Sequence, residues 1–225
     1  MRPIAPLKSP PRWDHIDLVL LDMDGTLLDK HFDDHFWEEY VPEQYALAHG
    51  MSLEEAKGKL MPRYRAQEGT LNWTSLDYWS GELGLDIPAL KEQVAHLIAV
   101  HPFVPDFLTG VREAGKEVCL VTNAHGKTLD LKMKKTSLGG MFHAVFTSQE
   151  LGAPKEDLRF WVALRREMMF DPARTFLAED TVSVLETARR FKIRYLVHIL
   201  KPSSARPPGK PGRFYSVETF KEIIP

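Results

Sequence analysis

The stretch IDLVLL at residues 16–21 is the strongest constraint on what this chain can become. Apart from Asp17 it is apolar without alternation, so as a strand it presents apolar side chains on both faces. Such a strand is buried on both faces, of the kind found in parallel sheets. The run then meets Asp22, Met23, Asp24, Gly25 and Thr26. A buried strand therefore delivers two acids, one residue apart, to its carboxyl end and breaks at a glycine.

Further strand-like runs follow: KEVCLVTN at 116–123, HAVFTSQ at 143–149, RTFLAED at 174–180 and RYLVHIL at 194–200. Helical segments separate them, namely VPDFLTGVREAG, KTLDLKMKKTS, KEDLRFWVALRREM and TVSVLETARRFK. That alternation predicts an α/β fold with a doubly wound, Rossmann-like parallel sheet. Between the first strand and the rest, strand signal is nearly absent. FWEEYVPEQYALAHG, MSLEEAKGKLMPRYRAQ, TSLDYWSGELG and PALKEQVAHLIAV have helical spacing there, and Ser52 with Glu55 has the spacing of a capping box. The expected organisation is an α/β core from residues 1–30 and 102–225, interrupted by an all-helical domain at 31–101. Residues 1–14 are proline-spaced and read as irregular, and 201–213 (KPSSARPPGKPGR) reads as a loop with no packing signal. No internal repeat is present.

Composition narrows the function. With 44% hydrophobic residues in 225 there is enough apolar material for a core without disulfide or metal staples. The 29 basic and 31 acidic residues leave a formal charge of −2, which recommends neither a nucleic acid nor an anionic membrane as partner. Cys119 is the only cysteine and lies in the apolar run VCLV, so strand packing in a reducing compartment is its expected role. No apolar run approaches the roughly 18 residues that span a bilayer. Pro6, Pro10, Pro11 and Asp14 interrupt any signal-peptide core. The expectation is a cytoplasmic protein, with a monomer favoured.

In an open parallel sheet, ligands bind beyond the carboxyl ends of the strands. Asp22 and Asp24, Thr122 and Asn123, and Glu179 and Asp180 all stand at such ends, and Lys155 opens the helical segment after the run at 143–149. Alone, each has an ordinary explanation: strand-end acids cap helices or close Asx turns, and a lysine at a helix start is usually solvated. Together they converge on one rim. Asp22 and Asp24 fall on one side of an extended chain. Two carboxylates about 6 Å apart repel by about 3 kcal/mol at an effective dielectric near 20. A hard divalent cation, Mg²⁺ for so few protein oxygens, relieves that repulsion. A hydroxyl (Thr122), an amide (Asn123) and an ammonium (Lys155) are suited to phosphoryl oxygens, and Gly25 permits a sharp turn that aims amides at the same anion.

The residues DMDGTLLD at 22–29, VCLVTN ending in Thr122 and Asn123, Lys155 within GAPKEDLRF, and FLAED at 176–180 resemble the four motifs of the haloacid dehalogenase (HAD) superfamily, in family order. The resemblance implies that Asp22 is the nucleophile and forms an aspartyl-phosphate, and that Asp24 is the general acid/base. It implies Mg²⁺ bound by Asp22, the backbone carbonyl of Asp24 and Asp180, with Glu179 near the metal through water. Thr122 and Lys155 would hold phosphoryl oxygens. The superfamily's dehalogenases lack the second acid, so Asp24 favours phosphoryl transfer. Residues 31–101 resemble a helical C1 cap that closes over the site. LLDMDGTLLD with the following FD, FW and VPE, across 20–43, is similar to the bacterial purine 5′-nucleotidases that act on GMP and IMP. LNW, LDYWS and LGLDI across 71–87, and GAPKEDLRFW at 152–161, share that likeness. It implies a phosphomonoester hydrolase for purine nucleoside monophosphates. Two departures are KED where many relatives have KPD, and Glu179 where others have Asp.

The cap carries the specificity question. Trp37, Tyr40, Tyr64, Trp73, Tyr78 and Trp79 are either cap core or stacking platforms for a base. Lys59, Arg63 and Arg65 are a solvated face or contacts to phosphate and ribose, and Asp33 and Asp34 cap a helix or meet the substrate. His31, His35, His125 and His143 show no metal-ligand spacing. A sugar-phosphate phosphatase or β-phosphoglucomutase-like phosphotransferase has the same core and stays open. So does a module that senses a phosphometabolite, although a sensor has no use for both Asp22 and Asp24.

Overall fold

Residues 10–225 are described by the computed structural model, and the proline-spaced start at 1–9 lies outside the described residues. Strands β1 (Leu18–Leu21), β2 (Glu117–Thr122), β3 (Ala144–Thr147), β4 (Thr175–Glu179), β5 (Tyr195–Ile199) and β6 (Tyr215–Val217) form one sheet in the order β3-β2-β1-β4-β5-β6. All five pairings are parallel. Leu18 stands opposite both Glu117 and Thr175, and Leu21 opposite both Leu120 and Ala178, so β1, β2 and β4 end at one rim.

The apolar run of β1 is buried on both faces because successive side chains feed two separate cores. Val19 and Leu21 join Val118, Leu120 and Phe176 against α6 (Val104–Glu113). Leu18 and Leu20 join Cys119, Val121 and Leu177 against α9 (Leu158–Met168) and α10 (Val182–Arg190). The thiol of Cys119 is buried in that second core. Two further core helices, α7 (Gly126–Thr136) and the short α8 (Ser148–Leu151), start just beyond the ends of β2 and β3.

Between β1 and α6 the chain is helical: α1 (His31–His35), α2 (Val41–His49), α3 (Leu53–Gln67), α4 (Leu76–Leu83) and α5 (Ile87–Gln93), with a 3₁₀ turn at Leu71–Thr74. This block has its own core, in which Phe36, Leu60, Tyr64, Trp79 and Leu83 are buried together. The capping box of α3 forms as the spacing predicts, with Glu55 N–H donating to Ser52 Oγ and Ser52 N–H donating to Glu55 Oε2. The segment expected to run as one helix into Gly50 instead widens into a π-helical turn at Phe36–Tyr40 before α2. Pro42 has no N–H to give the carbonyl of residue 38, so regular α-helical pairing fails just there.

Two expectations need correction in the last quarter of the chain. The loop at 201–213 is not without packing. Pro202 O accepts Lys30 N–H at 2.9 Å, Ser204 N–H donates to Asp29 Oδ1 at 2.9 Å, and Arg206 reaches Glu38 at 2.6 Å. These three contacts are backbone and ionic ones made with residues 150 or more positions away, which apolar patterning does not register. Strand β6 is likewise too short, at three residues, to announce itself by alternation.

Candidate active site

The rim where β1, β2 and β4 end gathers six of the residues singled out above. At the end of β1, Asp22 is 5% exposed, and its Oδ1 accepts a 2.5 Å hydrogen bond from Lys155 Nζ. The same ammonium donates to Glu179 Oε2 at 2.7 Å and to the carbonyl of Val121 at 3.3 Å. Lys155 is 2% exposed, and all three of its donors are thereby placed. Burial disfavours its charge, but Asp22 and Glu179 outweigh that and hold its pKa above the ordinary lysine value. The carboxyls move the other way: burial raises Asp22 and Glu179, only partly offset by the lysine.

Lys155 is aimed by its own loop. Its backbone N–H donates to Asn123 Oδ1 at 2.9 Å, and its carbonyl accepts the indole N–H of Trp161 at 2.9 Å. Asn123 Nδ2 also donates to Glu156 Oε2 at 2.9 Å. Both ends of the Asn123 amide thus bond the loop that carries Lys155, and its second Nδ2–H stays available to an acceptor. Thr122 Oγ1 accepts the N–H of Ala124 at 3.0 Å, which leaves its hydroxyl proton to donate elsewhere.

Gly25 acts differently from expectation. Its N–H is taken by Leu28 O at 2.7 Å, so it does not point at an anion. What glycine supplies is a φ of +85° and room, because a Cβ there would lie 2.6 Å from Asp180 Oδ2. The absent side chain lets Asp180 approach the end of β1.

Ligand atoms of Asp22, Glu179 and Asp180 lie within 4.8 Å of one another. Asp22 Oδ2 is buried and has no hydrogen-bond partner. An orphaned carboxylate oxygen among two other acids is what a hard cation satisfies, so these residues fit Mg²⁺. Asp180 is additionally held by Lys30 at 3.2 Å. Asp24 stands apart from the cluster. Its Oδ1 accepts a 2.5 Å hydrogen bond from Lys132 Nζ. Burial, reinforced by Asp33 and Asp22, raises the Asp24 carboxyl to about 6 despite that lysine.

Above this floor lies a cavity of about 650 Å³ that reaches from Asp22, Thr122 and Lys155 to the helical block. That is within the span of about 300–1,000 Å³ usual for small-molecule sites. Trp37, Met61, Tyr64, Arg65, Glu68 and Trp73 line its far side. Of the six aromatics in question, Tyr64 and Trp79 are buried and belong to the block's core with Trp37, at ring separations of 5.0–6.0 Å. Tyr40 and Tyr78 are not among the lining residues, and neither are Lys59 and Arg63. Trp73 is 37% exposed, and its ring stacks on no other aromatic among the described residues. Lys30, Lys91 and Lys132 escaped sequence reasoning altogether. A lysine that serves a buried carboxylate looks like any surface lysine until the fold places it.

Residues 16–192 match the family described as haloacid dehalogenase-like hydrolase. The chain is 35% identical over 213 residues to GMP/IMP nucleotidase YrfG of Escherichia coli K12, covering 95% of this chain and 96% of that protein. Among solved structures, a HAD phosphatase from Thermococcus onnurineus superposes with a TM-score of 0.76 at 21% identity, over 92% of this chain and 96% of its own. A putative β-phosphoglucomutase from Thermotoga maritima gives 0.67 at 18% identity, over 93% of this chain and 97% of its own.

Proposed function

The chain belongs to the haloacid dehalogenase-like hydrolase family, and from that premise we propose that it is a Mg²⁺-dependent phosphatase. Its substrates, in this reading, are purine nucleoside 5′-monophosphates such as GMP and IMP, hydrolysed through an aspartyl-phosphate on Asp22. The observation that carries the mechanism is the pair of oxygens on Asp22. One is fixed by Lys155, and the other is buried and unpartnered at the base of the cavity. The observation that carries the substrate is likeness to a GMP/IMP nucleotidase extending over 95% of this chain, helical block included.

Asp22, Asp180 and the carbonyl of Asp24 would hold the metal, with Glu179 nearby. When bound, Mg²⁺ supplies charge neutralisation for the phosphoryl group and for the acids around it. The chain's own residues do the rest. An Asp22 carboxylate oxygen bonds to phosphorus as the ester P–O bond breaks, and Asp24 gives its proton to the departing ribose oxygen. Water then attacks the same phosphorus while Asp24 takes its proton, which frees phosphate and restores the Asp22 carboxylate. Lys155 and the Thr122 hydroxyl meet the charge that develops on the phosphoryl oxygens. The lone buried thiol of Cys119 accords with a cytoplasmic setting.

The test is phosphate release with Mg²⁺ and with EDTA, across GMP, IMP, AMP, UMP, glucose 6-phosphate and p-nitrophenyl phosphate. Metal-dependent release with kcat/KM highest on GMP or IMP is expected. Turnover of sugar phosphates or the nitrophenyl ester alone would keep the phosphatase and remove the nucleotidase. Isomer interconversion without phosphate release would replace hydrolysis by phosphotransfer.

A further inference from the structure

Between the floor and the helical block lies a charge cluster of which the mechanism above uses only Asp24. Lys132, on α7, is 1% exposed, and its ammonium donates to Asp24 Oδ1 and to Asp33 Oδ2, each at 2.5 Å. The other oxygen of Asp33 accepts from Lys91 Nζ at 2.8 Å. Asp24 and Lys132 come from the α/β part, whereas Asp33 on α1 and Lys91 on α5 come from the helical block. The ring of Phe32 lies 5.1 Å from Lys132 Nζ and 5.0 Å from Lys91 Nζ, so the group sits against an apolar wall. Two lysines and two aspartates balance in charge, and removing Lys132 leaves the Asp24 carboxylate without a partner among the described residues.

We propose that Lys132 is a positioning residue for Asp24 and takes its own position from Asp33, so that the acid/base is aimed only while the helical block is seated on the core. This rests on the acid/base reading of Asp24. Lys132 is the only group among the described residues that hydrogen-bonds the Asp24 carboxylate, and it engages Oδ1 alone. Oδ2 is thereby left as the oxygen that serves the leaving group. An ammonium tethered to one carboxylate can swivel, but one tethered to two from different elements has a fixed place, and the Asp24 carboxylate inherits it. Without Lys132, Asp24 has no partner and can turn about its side-chain bonds into the cavity it lines.

The leaving group provides a readout that a merely structural role does not move. An alkoxide needs a proton to depart, whereas p-nitrophenolate does not, and kcat/KM reports the step in which it departs. Kinetics of Lys132→Met, Lys132→Arg and Asp33→Asn would be compared on p-nitrophenyl phosphate and on the best alkyl phosphate of the panel, with Asp24→Asn as reference. Asp24→Asn should lose about 10²–10⁴-fold on the alkyl ester and far less on the nitrophenyl ester. Lys132→Met should lose about 10–100-fold in kcat/KM on the alkyl ester while staying within about threefold on the nitrophenyl ester. Asp33→Asn should shift the same ratio less, and Lys132→Arg should recover part of it. Equal losses on both esters, or none on either, would overturn the proposal. If Lys132→Met does not fold, the ratio for Asp33→Asn decides it alone. A reference variant without leaving-group selectivity would instead remove the acid/base reading, and the proposal with it.

Discussion

The floor and the far wall of the cavity are built on opposite terms. On the floor the ionic groups are largely committed: Lys155 joins Asp22 to Glu179, Lys30 holds Asp180, and Asn123 fixes the loop behind them. On the far wall the ring of Trp73 stacks on no other aromatic, and Arg65 and Glu68 form no ion pair among the described residues. Chemistry that must be the same for every substrate is set in advance, because preorganised charge need not rearrange as the reaction proceeds. In the proposed reading, recognition falls to groups whose bonding capacity is still open. The contrast implies that variants of Asp22 and Lys155 lose every substrate alike and far-wall variants lose only discrimination.

The largest effect expected is that of Asp22→Asn. Removing a nucleophile costs on the order of 10⁴-fold or more in kcat, and here the loss should be equal for nucleotides, sugar phosphates and p-nitrophenyl phosphate. Residual turnover near wild type on any of them would break the comparison at its strongest point. Lys155→Met tests the floor through stability. It leaves Asp22 and Glu179 buried together with no cation, and stranding a buried charge in this way costs about 3–5 kcal/mol. Burial already raises both carboxyls in the folded protein. A carboxyl whose folded pKa lies above its unfolded one stabilises at low pH and loses that contribution as pH rises through the folded value. The deficit of Lys155→Met should therefore be greatest near neutrality and shrink on acidification, as thermal melts across pH would show.

Trp73→Ala addresses the far wall. If the indole stacks on a base, its loss costs about 1–3 kcal/mol by comparison with base–aromatic stacking elsewhere, or roughly 10–100-fold in kcat/KM on the nucleotide. Turnover of p-nitrophenyl phosphate should stay level. A parallel fall on both would make Trp73 a structural residue of the wall.

The same division governs how much of the molecule was legible in the sequence. Floor residues sit at strand ends, where a short apolar run gives way to a polar pair, so their convergence follows from topology alone. Asp22, Thr122, Glu179 and Asp180 meet for that reason, and Lys155 joins them from the loop between α8 and α9. The doubly wound sheet was equally legible, because the unalternating run in β1 admits little else. What stayed hidden depends on side-chain geometry or on distant contacts. Gly25 N–H finds Leu28 O, and the Asn123 amide finds Lys155 and Glu156 more than thirty positions away; no pattern announces either. Lys132 becomes interesting only once α7 is packed beside Asp24. Trp73 and Trp79 read alike in sequence and both reach the cavity, yet Trp73 is 37% exposed and Trp79 is buried in the block's core.

The smallest expected effect comes from the seam between the two regions. Arg206, in the loop after β5, pairs with Glu38 at 2.6 Å and with Asp34 at 3.2 Å, so a core loop grips the helical block beside the mouth of the cavity. Its side chain is 53% exposed, and solvent screens it accordingly. Such a pair is worth about 0.2–1 kcal/mol, so Arg206→Ala should move the melting temperature by only a few degrees and leave kcat/KM on p-nitrophenyl phosphate within about twofold. Salt should mimic the substitution in the wild type and do nothing further in the variant, because the interaction being screened is already gone. A large and salt-independent loss would mean instead that Arg206 serves the cavity itself. The seam would then belong with the committed charges of the floor rather than with the open groups of the far wall.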